Sequence, residues 1–225
     1  MRRLIPLLLP LPALAQDVEI PLGIEVVTGY RSEYVYRGFA LADDLIDVQL
    51  ETEIALSEHW LLGLGGWYGT GTGSGSFDEL AAFAALRYDA ERWDAGFQAA
   101  WHGFDHSLFR DGVDFGPFAN WRPNEDWRIG AALSYDTGPD GWYGRFEAEW
   151  SQPTGRDSFL SLLAGASGAS GYYGRNGAND LYARASWTYA FNRSVAVTPF
   201  LGSSFALDSA GSDRLFGGLW FEVNF

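Results

Sequence analysis

The last eleven residues, Leu215-Phe216-Gly217-Gly218-Leu219-Trp220-Phe221-Glu222-Val223-Asn224-Phe225, decide the fold class. Odd positions carry Leu215, Gly217, Leu219, Phe221, Val223 and Phe225, whereas the even positions end in Glu222 and Asn224. Successive side chains of a strand point to opposite faces. One face of this segment therefore suits lipid and the other suits water.

The same period recurs upstream. From Ile46 to Leu56 the even positions read Ile, Val, Leu, Thr, Ile, Leu, and the odd ones Asp, Gln, Glu, Glu, Ala. Helical spacing would mix these sets; a period of two separates them. Leu181 to Phe191 alternates in the same way, while Leu160 to Ala166 is apolar on both faces. Segments separated by Gly, Asp, Asn, Pro and Ser fall near 24–39, 46–57, 60–69, 78–89, 92–104, 112–121, 126–137, 141–151, 158–168, 180–191, 194–206 and 214–225. Their lengths suit tilted strands of about 9–11 residues crossing a bilayer. The mean hydropathy of −0.10 conceals them, because apolar and polar residues alternate. Pro117 and Pro199 predict a bulge or a strand end nearby, since a closed sheet has no free edge to excuse a missing N–H.

The connections alternate in kind. Ser57-Glu58-His59, Asp89-Ala90-Glu91, 122–125, 152–157 and Asn192-Arg193 are short. Those at 69–77, 105–111, 170–179 and 208–213 are longer, with Gly138-Pro139-Asp140-Gly141 the exception. Short turns at one rim and longer loops at the other are a barrel pattern. Trp60, Trp93 and Trp127 open segments and Tyr88, Trp121, Trp150, Phe191 and Phe225 close them, so all fall at one rim and outward. That is an interfacial aromatic girdle. Tyr36, Trp101, Tyr135 and Trp142 lie towards the other rim. The expected fold is all-β: one transmembrane antiparallel up-and-down β-barrel of about 12 strands over residues 16–225.

Residues 1–15 read as an export signal. Met1-Arg2-Arg3 is basic, Leu4 to Leu14 is apolar, and Ala13-Leu14-Ala15 has the small-x-small form of a cleavage site. Without Arg2 and Arg3, 13 of the 15 basic residues remain against 29 acids. A chain this acidic is no partner for nucleic acid. Cysteine is absent, so no disulfide or thiol chemistry operates.

The stretch Thr28-Gly29-Tyr30-Arg31-Ser32-Glu33-Tyr34-Val35-Tyr36-Arg37-Gly38-Phe39 resembles the S-D/E-Y-V-F-R-G signature of the TorF-type porin family of bacteria. Ser32, Glu33, Tyr34, Val35, Arg37 and Gly38 match it, and Tyr36 replaces the usual Phe. The similarity runs through Leu50 to Gly65-Gly66-Trp67-Tyr68; beyond about residue 90 only the barrel pattern and the terminal Phe agree. The resemblance implies a channel-like barrel in the bacterial outer membrane, in contact with lipid and lipopolysaccharide. It implies small solutes as cargo but names none. In this class a terminal aromatic such as Phe225 is part of the signal read by the barrel-assembly machinery.

By the period, the inward charged positions are Glu25, Arg31, Glu33, Arg37, Asp47, Glu51, Glu53, Glu79, Arg87, Asp94, Asp114, Arg128, Asp136, Arg145, Glu147, Glu149, Arg184 and Glu222, with His102 beside them. Twelve acids against six arginines would bias a water-filled pore towards cations. The same residues could instead pair into ionic ladders that fill a narrow barrel. In the first hairpin, a register pairing Arg31 with Glu53 and Arg37 with Asp47 would match opposite charges across strands, and would leave Glu33 near Glu51.

Enzyme chemistry has less support. Of the three histidines, His59 sits in a short turn and His102 faces inward. Asp105-His106-Ser107 holds hydrolase residue types, but neighbours in sequence cannot converge without partners from elsewhere. No metal-ligand spacing occurs, and Gly-Thr-Gly-Ser-Gly precedes neither a Lys nor a helix, so neither metal nor nucleotide cofactor is expected. Three readings remain: a diffusion channel, a plugged structural or adhesive barrel, and an outer-membrane hydrolase.

Overall fold

The computed structural model describes residues 23–73, 77–208 and 211–225. The export signal expected over residues 1–15 lies outside them. Among the described residues there are twelve strands: β1 (Gly23–Tyr36), β2 (Phe39–Ala55), β3 (Trp60–Gly71), β4 (Asp78–Asp89), β5 (Trp93–Asp105) and β6 (Gly112–Trp121). They continue as β7 (Trp127–Asp136), β8 (Gly141–Pro153), β9 (Ser158–Tyr172), β10 (Arg175–Ala190), β11 (Val195–Ala206) and β12 (Arg214–Asn224). Each pairs antiparallel with its sequence neighbours, and β12 returns to β1, closing the barrel. Closure runs from Glu25 opposite Asn224 to Arg31 opposite Gly218.

The alternation read in the sequence is the alternation of the wall. Leu50, Leu86, Phe97, Phe146, Leu162, Leu201 and Leu219 stand outward and exposed, forming a continuous apolar belt. Such a belt belongs in lipid, and backbone groups there must be satisfied within the sheet, which a closed barrel achieves. Trp93 pairs directly with Trp121, and Trp127 with Trp150, so the girdle sits at one height. Phe225 is 77% exposed, and its N–H donates to the Ile24 carbonyl at 2.9 Å, beside the first strand.

Three expectations are corrected. Residues 40–45 and 170–179 are not loops. β1 and β2 pair up to Tyr36 opposite Phe39, and β9 and β10 up to Tyr172 opposite Arg175. Each is joined by a two-residue turn with positive φ at both positions: Arg37 (50°) with Gly38 (79°), and Tyr173 (46°) with Gly174 (85°). Those are the angles of the tight hairpin turn that matches strand twist, and Gly38 supplies one at no steric cost.

The register of the first hairpin follows from that turn. Arg31 stands opposite Leu45, Glu25 opposite Glu51, and Gly23 opposite Glu53. The expected Arg31–Glu53 and Arg37–Asp47 pairs do not form, because the chain turns at residues 37–38 and not beyond 40.

Pro117 and Pro199 also behave differently. Neither makes a bulge. The β6–β7 ladder skips Gly116 and Pro117, and the β10–β11 ladder skips Thr198 and Pro199, with register unchanged on either side. The bulges lie instead at Tyr34/Val35, Arg175/Asn176 and Ala178/Asp180.

A charge placed on the belt should be costly. Leu201→Arg, at mid-strand on the lipid face, should lower unfolding stability in lipid vesicles by about 2–4 kcal/mol. The polar lumen replacement Ser204→Thr should cost far less, and urea titration followed by tryptophan fluorescence measures both.

Candidate functional site

The lumen is built in two parts, a polar wall and two hairpins folded into its mouth. On β1 the last residue pairing with β12 is Arg31, and on β2 the first pairing with β3 is Leu45. Residues 33–43 therefore have ladder partners only among themselves. Asp44 takes a positive φ of 53° where the hairpin leaves the wall, and its carbonyl accepts from the Thr72 N–H and hydroxyl, each at 2.6 Å. Residues 171–179 leave the wall likewise, since β9 ends its pairing with β8 at Ser170 and β10 starts pairing with β11 at Asp180.

The two tips meet. Asn179 donates to the Arg37 carbonyl at 3.0 Å and Arg175 to the Gly38 carbonyl at 3.1 Å. The Arg175 guanidinium stands 3.6 Å from the centre of the Phe39 ring. Tyr34, Leu41, Leu45, Phe77 and Phe109 form a small apolar cluster under the tips, with Tyr36, Phe39, Trp67, Phe104 and Tyr173 against it. Phe109, from the β5–β6 loop, packs on Tyr173 with ring centres 4.2 Å apart.

Arg37 is the centre of this arrangement. The turn carries it across the lumen to an ion pair with Asp114 on β6 and a second, at 3.5 Å, with Asp136 on β7. Tyr172 receives a hydrogen bond from it at 3.0 Å, and the rings of Tyr36, Tyr143 and Tyr172 surround it at 4.8–5.2 Å. Its side chain is only 12% exposed. Beside it, Glu79 accepts from the Tyr34 hydroxyl at 2.9 Å and bonds His102 Nδ1 at 2.8 Å, and His102 Nε2 lies 3.9 Å from Asp114.

The other inward charges pair in part. Arg31 binds Asp47, and Arg214 binds Glu33 at 2.7 Å. Arg87 binds Glu53 at 2.8 Å, and Arg128 binds Glu149 at 2.8 Å. Asp94 is held by Asn120 at 2.7 Å and by Arg122 at 2.6 Å; Arg122, in the β6–β7 turn, also reaches Asp89 at 2.8 Å. Those contacts, Asp94 first, raise the Arg122 pKa. Glu147 accepts from Tyr182 at 3.1 Å and Glu222 from Thr198 at 3.0 Å. Glu25, Glu51 and Glu222 have no ion pair among the described residues and stand on the adjacent strands β1, β2 and β12 near the short-turn rim. Arg145 and Arg184 likewise lack an ion pair among the described residues. Arg145 lines a cavity of about 610 Å³ below the first hairpin, together with Arg37, His102, Tyr143 and Gln98. That cavity shares Phe83 and Ala85 with a cavity of about 510 Å³ at the short-turn rim.

The hydrolase residue types do not converge. His106 Nδ1 accepts from the Leu108 N–H at 3.3 Å, and its ring packs on Phe77 and Phe109. His59 packs on Tyr88. Among the described residues no group of three His, Cys, Asp or Glu is arranged to hold a metal.

Sequence reasoning missed Tyr34, Tyr143, Tyr172, Arg175 and Asn179. Tyr34 falls outward by the period, and the last three fall in a stretch read as loop. The available signal was an X-Gly pair directly after a tyrosine, Tyr36-Arg37-Gly38 and Tyr172-Tyr173-Gly174, which marks a two-residue hairpin.

No family model and no curated protein sequence matches this chain. Solved structures do. The chain resembles the KdgM porin in complex with disordered oligogalacturonate, with a TM-score of 0.60 and 8% identity over 90% of this chain and 99% of that one. It resembles the COG4313 outer membrane channel from Pseudomonas putida F1, with a TM-score of 0.63 and 13% identity over 95% and 99%. The NanC porin gives 0.58 and 10% over 90% and 98%. At such identities the likeness is one of fold: the chain has the twelve-stranded architecture of outer-membrane barrels.

Removing the carboxylates around Arg37 should release the first hairpin. Asp114→Asn with Asp136→Asn leaves a buried guanidinium without a counter-charge, a loss of about 3–5 kcal/mol for a buried pair. Hydrogen exchange should then rise over residues 32–44 while the wall strands stay protected.

Proposed function

We propose that this barrel is a porin-like channel of the bacterial outer membrane, passing small hydrophilic solutes by passive diffusion with a weak preference for cations. The observation that carries this reading is a charged, cavity-bearing lumen inside an apolar outer belt, running from the short-turn rim to the first hairpin. The neighbours named porins and channels support it, as does the TorF-type resemblance over residues 32–38. The inward residues named from the period are its pore lining, with Arg37 at the constriction. Outer-membrane lipid, lipopolysaccharide and the barrel-assembly machinery, acting through Phe225, are its proposed partners.

The preference for cations is carried by Glu25, Glu51 and Glu222, which form no ion pair with an arginine among the described residues. Charges in a narrow, low-dielectric channel focus the field, and salt screens it over about 10 Å at 0.1 M. A KCl gradient across a bilayer holding the purified protein should give a reversal potential of cationic sign, smaller at high salt. Glu25→Gln with Glu51→Gln should largely remove it. Glu53→Gln should weaken it as well, since it leaves Arg87 in the same cavity without its counter-charge. An anionic sign would overturn the preference.

A second reading, the plugged barrel, is favoured by the two hairpins that fill the mouth. The two readings separate on one measurement. Deleting residues 33–43 and closing the gap with Gly-Gly should raise single-channel conductance severalfold if the hairpin is a constriction in a conducting path. A wild-type protein that never conducts, beside a deletion variant that does, would establish the plug.

A further inference from the structure

A smaller cavity, of about 210 Å³, lies between the first hairpin and strands β10–β12. Its floor is aromatic. Phe200 and Trp220 stack with ring centres 4.1 Å apart and planes 17° apart, and Phe216 meets Phe200 edge-on at 6.5 Å. Each ring sits over a glycine: a Cβ would come within 2.7 Å of Phe200 at Gly218, within 2.5 Å of Trp220 at Gly29 and within 2.5 Å of Phe216 at Gly202.

Arg31, Arg37 and Arg184 also line this cavity. The first two are matched by Asp47 and by Asp114 with Asp136. Arg184 is not: its guanidinium carbon stands 5.1 Å from the centre of the Trp220 ring, without an ion pair among the described residues. Glu149 and Glu147 attract it from further off, but they are bonded to Arg128 and to Tyr182. An arginine fork held over an aromatic face and short of a counter-ion is half of a carboxylate site.

The Asp180, Tyr182 and Ser204 side chains of the lining are already committed. Asp180 accepts from Ser204 at 2.8 Å and from Asn179 at 3.1 Å, and Tyr182 donates to Glu147 at 3.1 Å. A hydroxylated ring would find few free partners here and would leave its own hydroxyls unpaired. An unsubstituted flat ring would bury against Phe200, Phe216 and Trp220 without that loss.

We propose that this cavity binds small aromatic carboxylates, the carboxylate on Arg184 and the ring against Phe200 and Trp220. The site rests on the channel reading only for the route by which a solute reaches it; binding itself requires no conductance.

The test uses the full barrel folded in detergent, titrated with 4-fluorobenzoate and followed by fluorine NMR. Saturable binding to one site is expected. 4-Fluorobenzyl alcohol keeps the ring without the charge, and glucuronate keeps the charge on a hydroxylated ring; each should bind at least about tenfold more weakly. Arg184→Gln should weaken 4-fluorobenzoate by a similar factor. Should that variant not yield a folded barrel, judged by heat-modifiable gel migration, Trp220→Leu with Arg184 intact is expected to weaken it as well. No saturable binding, equal binding of either control compound, or unchanged affinity in a folded Arg184→Gln protein would overturn the site. Bilayer conductance without ligand reports on the channel separately: a conducting protein that ignores 4-fluorobenzoate sinks the site alone, and a binding protein that never conducts sinks the channel alone.

Discussion

The structure depends on the pairing of β1 with β12. Inside a bilayer no water is present to satisfy an open sheet edge, so every wall N–H and C=O must find a partner in the sheet. The ladder from Glu25–Asn224 to Arg31–Gly218 supplies that. Once the sheet is closed, the two faces meet different media. The apolar face of each strand turns outside, and within the membrane arginine and carboxylate have only the lumen to occupy. The excursions of residues 32–44 and 171–179 are allowed for the same reason: they leave the wall beyond its last ladder pairs and turn inward. Their freed carbonyls are met by side chains, Arg37 by Asn179, Gly38 by Arg175 and Asp44 by Thr72.

The charges follow a similar economy. Directly opposite positions in the first hairpin join Arg31 to Leu45 and Glu25 to Glu51, neither a favourable ion pair. Arg31 instead reaches diagonally to Asp47. Arg37 reaches across the lumen, and Arg214 reaches Glu33 from the closing strand. Long arginine side chains let the lumen pair its charges without a matched register. Six acids of the twelve could be neutralised one for one by the six inward arginines, yet Arg145 and Arg184 stay without ion pairs. Pairing is therefore limited by geometry, and local fields of both signs survive in one lumen.

The wall was legible in the sequence because lipid and water impose a period of two on it. Side-chain parity, girdle height and the outward terminal Phe225 all follow from that. The hairpins were not legible because the period lapses there. Glu33 and Tyr34 are consecutive and both buried, since protein surrounds both faces of the chain once it enters the lumen. Ala40-Leu41-Ala42-Asp43-Asp44-Leu45 reads as a connection for the same reason, although it is strand. Register was lost with the turn: placing the reversal beyond residue 40 instead of at Arg37-Gly38 displaces every cross-strand partner. The residues at the mouth are thus the ones that a pattern argument places least well.

How the mouth is held bears on whether it can open. The wall is held by backbone ladders, which open only with the whole barrel. The first hairpin is held to the far side by side chains: one guanidinium on two carboxylates, a tyrosine on Glu79, two donors on its tip carbonyls, and an apolar cluster of five buried residues. Its attachment to the wall is Arg31 on one side and Leu45 on the other, with Asp44 already in a bent conformation. Lifting residues 32–44 would break the side-chain contacts and leave all twelve ladders standing. A mouth built in this way separates the stability of the barrel from the state of its entrance. Sequence change at Arg37, Asp114 or Asp136 can tune the second without spending the first.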